Sequence, residues 1–497
     1  MKKAACLIAL LALPPHLGAQ EKSKPNVLLI CVDDLKPTIG AYGDKLAVTP
    51  NLDRLAARGM RFDYAYCNQS VCSASRNNLM LGSRSTSLGI YDLSQNFRKA
   101  VPDAVTLSQY FMNNGYRAEA VGKILHSGHG NSDDAASWSV PTITEKVVEY
   151  ADPASSAGGR LTREEAYFSN KELGRIGQLP KGAAWEIADV PDNAYSDGRI
   201  ADEGIKRLQA AAERKGTPFF LGIGFTKPHL PFTAPRKYWD MHDPTKFKLA
   251  ENTKPPQDAP PLAGKKGGEI TNYEPIPDNG KVDDENARKL IHGYYAATSY
   301  MDAQLGRVLD ELDRQKLWEN TIIVLWGDHG WHLGDHGYWT KHTNYEQANH
   351  IPLLIIAPGM KPGSTRQLTE TVDIYPTVTE LAGLPKPSVP QPIDGVSLIP
   401  VLKDPSVRLR DHAYHCFPRG EGRIGRAIRT ERYRFVEWKV PGAPADTAKL
   451  ELYDYKEDPT EKQNLATKQP EVVKEMQAIL ARHPEAEPKP LARKEKK

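Results

Sequence analysis

Two residue pairs that carry aspartate and one cysteine stand out as groups that could do chemistry. Asp33-Asp34 closes one apolar run, and Asp328, followed by His329, closes another in Trp326-Gly327-Asp328-His329-Gly330. Acids at the ends of buried parallel strands sit where α/β enzymes build their sites. Either pair alone reads as a turn or a helix cap. Two strands delivering aspartates to one sheet edge would crowd negative charge and call for a cation. Hard oxygen donors of this kind suit calcium or magnesium. The cysteine lies in Cys72-Ser73-Ala74-Ser75-Arg76. A lone cysteine in an exported chain is usually a bridge half or apolar filler; the pattern of Cys, small residue, Ser and Arg sets this one apart.

Basic and imidazole groups accompany them. Lys123 and His126 lie in Val121-Gly122-Lys123-Ile124-Leu125-His126, His229 lies in Lys227-Pro228-His229-Leu230-Pro231-Phe232, and Lys341 precedes His342. Each has a plain alternative: a loop histidine between Gly122 and Gly128, a rigid turn after a strand, a solvated basic pair. An anionic ester would use them differently. Its transition state puts charge on oxygens, which Arg76, Lys123, Lys341 and a metal could meet with fixed positive charge. A histidine near its free pKa can donate a proton to a leaving group at neutral pH.

The elements that must position these residues are legible. Asn26 to Val32 is a continuous apolar, β-branched run, as in a strand buried on both faces. Thr49-Pro50 is a cap followed by proline at the first helical position; Leu52, Leu55 and Ala56 line one face, and Gly59 closes the helix. Ile200 to Arg214 reads as a helix, Phe219 to Phe225 as a buried strand. Tyr294, Ala297, Met301, Leu305, Val308 and Leu312 mark a long amphipathic helix. Thr321 to Trp326 and Pro352 to Ile356 read as further strands. The alternation predicts an α/β fold, with a mostly parallel sheet between helices. Two long stretches, Asn131 to Arg163 and Lys254 to Asp284, read as loops that hold part of a substrate pocket. Beyond the proline-rich Pro385 to Pro392 the texture changes. His412 to Phe417, Arg426 to Ile428, Arg434 to Trp438 and Leu450 to Tyr455 read as short antiparallel strands, and Val472, Val473, Met476, Ile479 and Leu480 as one helix face.

Composition bounds the rest. The 497 residues carry a net charge of +3, too balanced to suggest nucleic acid as a partner. Lys2 and Lys3, the apolar run Ala4 to Leu13 and the small residues of Leu17-Gly18-Ala19 have the shape of a secretory signal peptide, too short to span a bilayer. The expected organisation is a signal over residues 1–19, a catalytic domain over 20–385 and a smaller α+β subdomain over 386–497. The mature protein is then periplasmic or secreted, with no membrane span. Cys6 leaves with the signal; Cys31, Cys67, Cys72 and Cys416 stay, in spacings that do not form a disulfide framework.

Taken in order, the Asp33-Asp34, Cys72, Lys123, Lys227–Phe232 and Gly327–Lys341 blocks resemble the formylglycine-dependent type I sulfatases of the alkaline phosphatase superfamily. Within that family they are most similar to the iduronate 2-sulfatases. The resemblance implies an alkaline phosphatase-like fold and a calcium ion held by Asp33, Asp34, Asp328 and His329, with modified Cys72 adding its oxygen. It implies a sulfatase-maturing enzyme that oxidises Cys72 to formylglycine, a hydrated aldehyde that attacks sulfur through one hydroxyl and expels sulfate through the other. Arg76 would hold the nucleophile. Lys123 and His126 would contact it, with His126 as the base that drives sulfate elimination. His229 would be the general acid, and Lys341 would bind the sulfate.

Two positions depart from the common pattern. Ala74 replaces a frequent proline, which the radical maturase tolerates. His329 replaces asparagine, as in the iduronate 2-sulfatases; nitrogen is an unusual ligand for calcium. The implied substrate is a sulfated oligosaccharide or glycosaminoglycan fragment carrying a 2-O-sulfated uronate. Algal galactans of the carrageenan type stay open. A uronate carboxylate calls for a second cation, for which Arg98, Arg419, Arg423 and Arg426 are candidates. Two other functions stay open as well: a phosphate or phosphonate ester hydrolase of the same fold, and a catalytically silent glycan-binding protein.

Overall fold

The computed structural model describes residues 24–265 and 267–489. The expected signal over residues 1–19, with Cys6, lies outside the described residues. No helix among the described residues is long and apolar enough to cross a membrane.

Asn26–Val32 is an interior strand of a seven-stranded sheet. It pairs in parallel with Thr321–Gly327 on one side and with Phe219–Phe225 on the other. Arg117–Gly122, a strand the sequence reading had not picked out, adds a further parallel pair. Beyond Thr321–Gly327 lie Leu353–Ile356, Met60–Phe62 and Gly363–Thr365. Leu353–Ile356 runs antiparallel to its neighbour. The connection from residue 328 to 352 contains no crossover helix, only the short Glu346–Asn349. The chain therefore stays at one sheet edge and enters the next strand from that edge.

Alternate side chains of Asn26–Val32 feed two cores, as a pleated strand requires. Val27, Leu29 and Cys31 pack with Leu79 and Leu81 of the helix Cys72–Leu81 and with Tyr375 and Val378 of the helix Ile374–Leu381. Leu28, Ile30 and Val32 pack with Ile200 and Leu208 of Ser196–Glu213 and with Met301, Leu305 and Val308 of Asp284–Arg314. Each such fully buried side chain contributes about 1.5–3 kcal/mol. Burial on both faces is why these strands read as unbroken apolar runs.

The first helix, Pro50–Ala56, is capped differently from expectation. Thr49 makes no side-chain cap bond; its hydroxyl accepts from the Gly40 amide at 2.9 Å. The free amides of Asn51 and Leu52 donate instead to Asp302 of the long helix, at 3.1 and 2.7 Å. Gly59 does not end this helix. A Cβ there would lie 2.7 Å from the Ile355 carbonyl, so glycine lets two strands approach.

Downstream, Leu398, Val401 and Leu402 pack into the main core. Ala413–Pro418, Ile424–Arg429, Tyr433–Lys439 and Lys449–Asp454 then form a four-stranded antiparallel sheet. Val473, Met476 and Leu480 of the helix Pro470–Leu480 cover Ile428, Phe435 and Leu452 of that sheet. The four described cysteines are buried and unbridged.

Candidate active site

Strand register builds the site. Val32 pairs with Gly327, and the bonding continues as Asp328 N donates to Val32 O at 3.0 Å. Asp33 and Asp328 therefore leave the sheet side by side. Gly122 pairs with Gly224 two strands away, and Lys123 N donates to Gly224 O at 2.8 Å. A Cβ on Gly122 would come 2.1 Å from that same carbonyl, so only glycine lets the chain turn there and deliver Lys123. Asp34 takes a left-handed conformation, φ 59°, which aspartate tolerates better than most residues. Its amide donates to Asp328 Oδ1 at 3.0 Å and its carbonyl accepts from Tyr294 OH at 2.7 Å.

Cys72 opens the helix Cys72–Leu81, whose ten residues are all buried. Its N-terminus turns toward the acids, where the helix dipole adds positive potential. Arg76, one turn on, falls on the same face. Its guanidinium pairs with Asp33 at 3.1 Å and with Asp328 at 3.0 Å, joining acids from two strands. The Cys72 sulfur lies 3.2 Å from His329 Nε2. Burial pushes the Cys72 thiol up, against the pull of Lys123 and Lys341, so it is held as a thiol.

The other candidates converge here. Lys123 pairs with Asp33. Lys341 Nζ lies 3.1 Å from both oxygens of Asp34 and 3.1 Å from His229 Nε2. Lys227 folds back onto the carbonyls of His229 and Pro231, at 3.0 and 2.7 Å, and so pins the turn that presents His229. The two histidines are driven apart. Burial and the charge of Lys123 hold His126 well below the ordinary imidazole range. Burial works against protonation of His229 too, but the carboxylates of Glu269, Asp34 and Asp33 together outweigh it and raise the ring to about 10.

Asp33, Cys72, Asp328 and His329 each place one donor atom within 4.8 Å of the others, and Asp34, Cys72 and His229 form an adjoining group. Asp34 thus sits beside the main cluster, turned to Lys341 and 3.3 Å from His329 Nδ1. Burial pushes Asp328 up to about 6, and Asp33 adds to the rise. Three buried carboxylates with one so short of positive charge make a donor set that fits a hard divalent cation.

Cys72, His126, His229 and Lys341 line one cavity of about 260 Å³. Of the two long loops, Lys254–Asp284 lines it through Lys265, Glu269 and Asn272, whereas the stretch from Asn131 to Arg163 does not. The flanks of that stretch do, through His129, Glu164 and Phe168, because Arg163–Ser169 is a helix laid against the site. Glu269 had no sequence signal beyond being an acid in a loop. Its carboxylate lies 2.6 Å from Lys341. Glu164 beside it is raised to about 8 by burial and by Glu269.

None of the four candidate arginines lines the cavity. Arg98 is neutralised by Asp134, Arg423 by Glu421 and Arg426 by Glu437. Arg419 is spent on the carbonyls of Leu262, Ala263 and His342.

The sulfatase family profile matches residues 25–384, and one described as N-sulphoglucosamine sulphohydrolase, C-terminal, matches residues 334–486. The chain is 33% identical over 397 residues to iduronate 2-sulfatase of Mus musculus, covering 73% of this chain and 69% of that protein. A solved protein in complex with its substrate D-glucosamine-2-N,6-O-disulfate superposes with a TM-score of 0.70 at 21% identity, covering 93% of this chain and 99% of the other. Phosphonate monoester hydrolase of Agrobacterium radiobacter gives 0.70 and 21%, over 93% and 96%.

Proposed function

We propose that this chain, which belongs to the sulfatase family, removes the 2-O-sulfate from a uronic acid of a glycosaminoglycan fragment. Hydrolysis of sulfate esters is the activity its family membership establishes. The observation that carries the finer reading is that Cys72, His126, His229 and Lys341 open onto one cavity, with the Arg76 guanidinium beneath. The likeness to iduronate 2-sulfatase points to the uronate.

Formylglycine at position 72 would supply the nucleophilic hydroxyl of a hydrated aldehyde, and a calcium ion held by Asp33, Asp34, Asp328 and His329 would supply positive charge beside it. The chain's own residues account for the remainder. Arg76 holds Asp33 and Asp328 in place. Lys123 and Lys341 hold fixed positive charge where an anionic ester would gain charge. His229 carries a proton on Nε2, 2.9 Å from Glu269 Oε1 and beside Lys341, as a general acid for a sugar oxygen must. His126 is neutral and its Nδ1 has no hydrogen-bond partner among the described residues, so it can take a proton. Opposed shifts in two neighbouring groups are how one site assigns acid and base.

An adjoining cavity of about 520 Å³ shares Leu93, His129, Tyr167 and His342 with the first and is walled by Tyr91 and Phe417. Aromatic walls suit the apolar face of a neighbouring sugar ring. Export by the N-terminal signal and maturation by a radical enzyme complete the proposal.

The test is desulfation of a disaccharide panel by chain co-expressed with a radical maturase. The panel holds 2-O-sulfated uronates, 6-O- and N-sulfated glucosamines, and carrageenan units. Sulfate release confined to the 2-O-uronates supports the reading. Release only from galactans or glucosamines discards the uronate and keeps the mechanism. Silence with Cys72 fully converted, and turnover of a phosphonate monoester instead, overturns both.

A further inference from the structure

Two lysines among the described residues line the Cys72 cavity, and they differ in one respect. Lys341 is neutralised twice, by Asp34 at 3.1 Å and by Glu269 at 2.6 Å. Lys265 has no carboxylate or hydrogen-bond partner among the described residues. It is half-buried, and desolvation followed by repulsion from Arg419 lowers its pKa. A desolvated ammonium without a counter-charge costs folding free energy. Such a group is retained where an incoming anion offsets the cost.

The loop carrying it is fixed from below. Arg419 stacks on Phe417, 4.3 Å from its ring centre, and donates to the carbonyls of Leu262, Ala263 and His342 at 2.7, 3.1 and 2.8 Å. One guanidinium thus ties the segment that ends in Lys265 to the segment that carries Lys341. At Gly264 the chain passes so close to Tyr338 that a Cβ would meet its hydroxyl at 1.9 Å. Lys265 follows directly from this anchored foot. Arg419 therefore positions a cation for the cavity without entering it.

We propose that Lys265 is the specificity-determining residue that receives the substrate's second anionic group, the uronate carboxylate. This rests on the 2-O-uronate reading. Sulfate faces Lys341 and His229, and the carboxylate on the same ring faces the one lysine of the cavity left without a counter-ion. A neutral sugar sulfate would leave Lys265 unpaired, which gives the cavity a means of discriminating between them.

The test uses the matured, metal-loaded full chain and two probes: a 2-O-sulfated uronate disaccharide and its carboxyl methyl ester. The wild type should favour the acid by about tenfold or more in kcat/KM, the scale of a charge-assisted contact. Lys265→Met should bring the ratio close to one, with the loss carried by KM. Lys265→Arg should retain a preference for the acid, which guards against a folding defect in the Met variant. A preference that survives in Lys265→Met overturns the assignment and leaves the uronate reading standing. So does a wild type that turns over acid and ester equally. A wild type that hydrolyses aryl sulfates but neither uronate probe removes the substrate reading, and this inference with it.

Discussion

Oε1 of Glu269 lies 2.9 Å from Nε2 of His229, while its other oxygen lies 2.6 Å from the Lys341 ammonium. Under the proposed mechanism these two cations receive the substrate sulfate, so the Glu269 carboxylate would compete with it. Glu269→Gln removes that competing charge. Inhibition by inorganic sulfate should then tighten on the order of tenfold, about 1.4 kcal/mol. Weaker inhibition in the variant would mean that Glu269 orients the two cations and does not compete for them.

Cys72→Ala should reduce turnover by about 10³-fold or more, because a nucleophile cannot be replaced by its neighbours. The thermal unfolding midpoint should stay close to that of the parent. Substantial activity in the alanine variant would sink the mechanism.

His229→Ala and His126→Ala should separate by leaving group. Loss of a general acid costs about 10²–10⁴-fold where the leaving oxygen is poor. His229→Ala should therefore damage sugar sulfates far more than activated aryl sulfates. His126→Ala should damage both alike, since the base acts after the leaving group has gone. Equal losses for His229→Ala on both classes would remove its role as acid.

Asp328→Ala should empty the cation site. Metal content per chain is the direct readout. Calcium at about 100 times its Kd would stabilise the parent by about 2.7 kcal/mol, and the variant should gain nothing from added calcium. Full metal occupancy in the variant would show that the ligand set is wrongly drawn.

Much of this was legible in the sequence because strands buried on both faces leave unbroken apolar runs. Asn26–Val32 and Phe219–Phe225 occupy the residues the pattern predicts. Arg117–Gly122 escaped because Arg117 and Glu119 interrupt the run; Glu119 is matched by Arg117, Arg207 and Arg214 at the strand's outer end. The direction of Leu353–Ile356 was not legible, since antiparallel and parallel strands share one composition when both faces are covered. Site residues flanked by glycine, proline or a strand end could be picked out. Glu269, Lys265 and Phe168 could not, because only the folding of two loops onto the strand edge gives them a neighbour. The arginines failed as candidates for the converse reason. Each is satisfied by a partner that sequence spacing does not reveal.

The junction between the main body and the C-terminal sheet offers a prediction independent of catalysis. Glu346 accepts from Tyr66 OH at 2.9 Å, lies 3.1 Å from Arg429 and pairs with Arg434, the two arginines coming from adjacent strands of the C-terminal sheet. Burial alone would raise its pKa, but Arg429 and Arg434 overcome this and hold the carboxyl well below the usual range. A folded-state value below the unfolded one means the native protein binds fewer protons. The pair therefore stabilises fully above the free glutamate value, about 4.3, and its contribution is lost as pH falls from there toward the folded value. Glu346→Gln leaves two buried guanidinium groups short of a counter-charge, at a cost of about 3–5 kcal/mol at neutral pH. Denaturant unfolding of parent and variant across pH should show that gap narrowing as pH drops below about 4.3. A gap that stays constant with pH would assign the loss to packing at Tyr66 and not to charge.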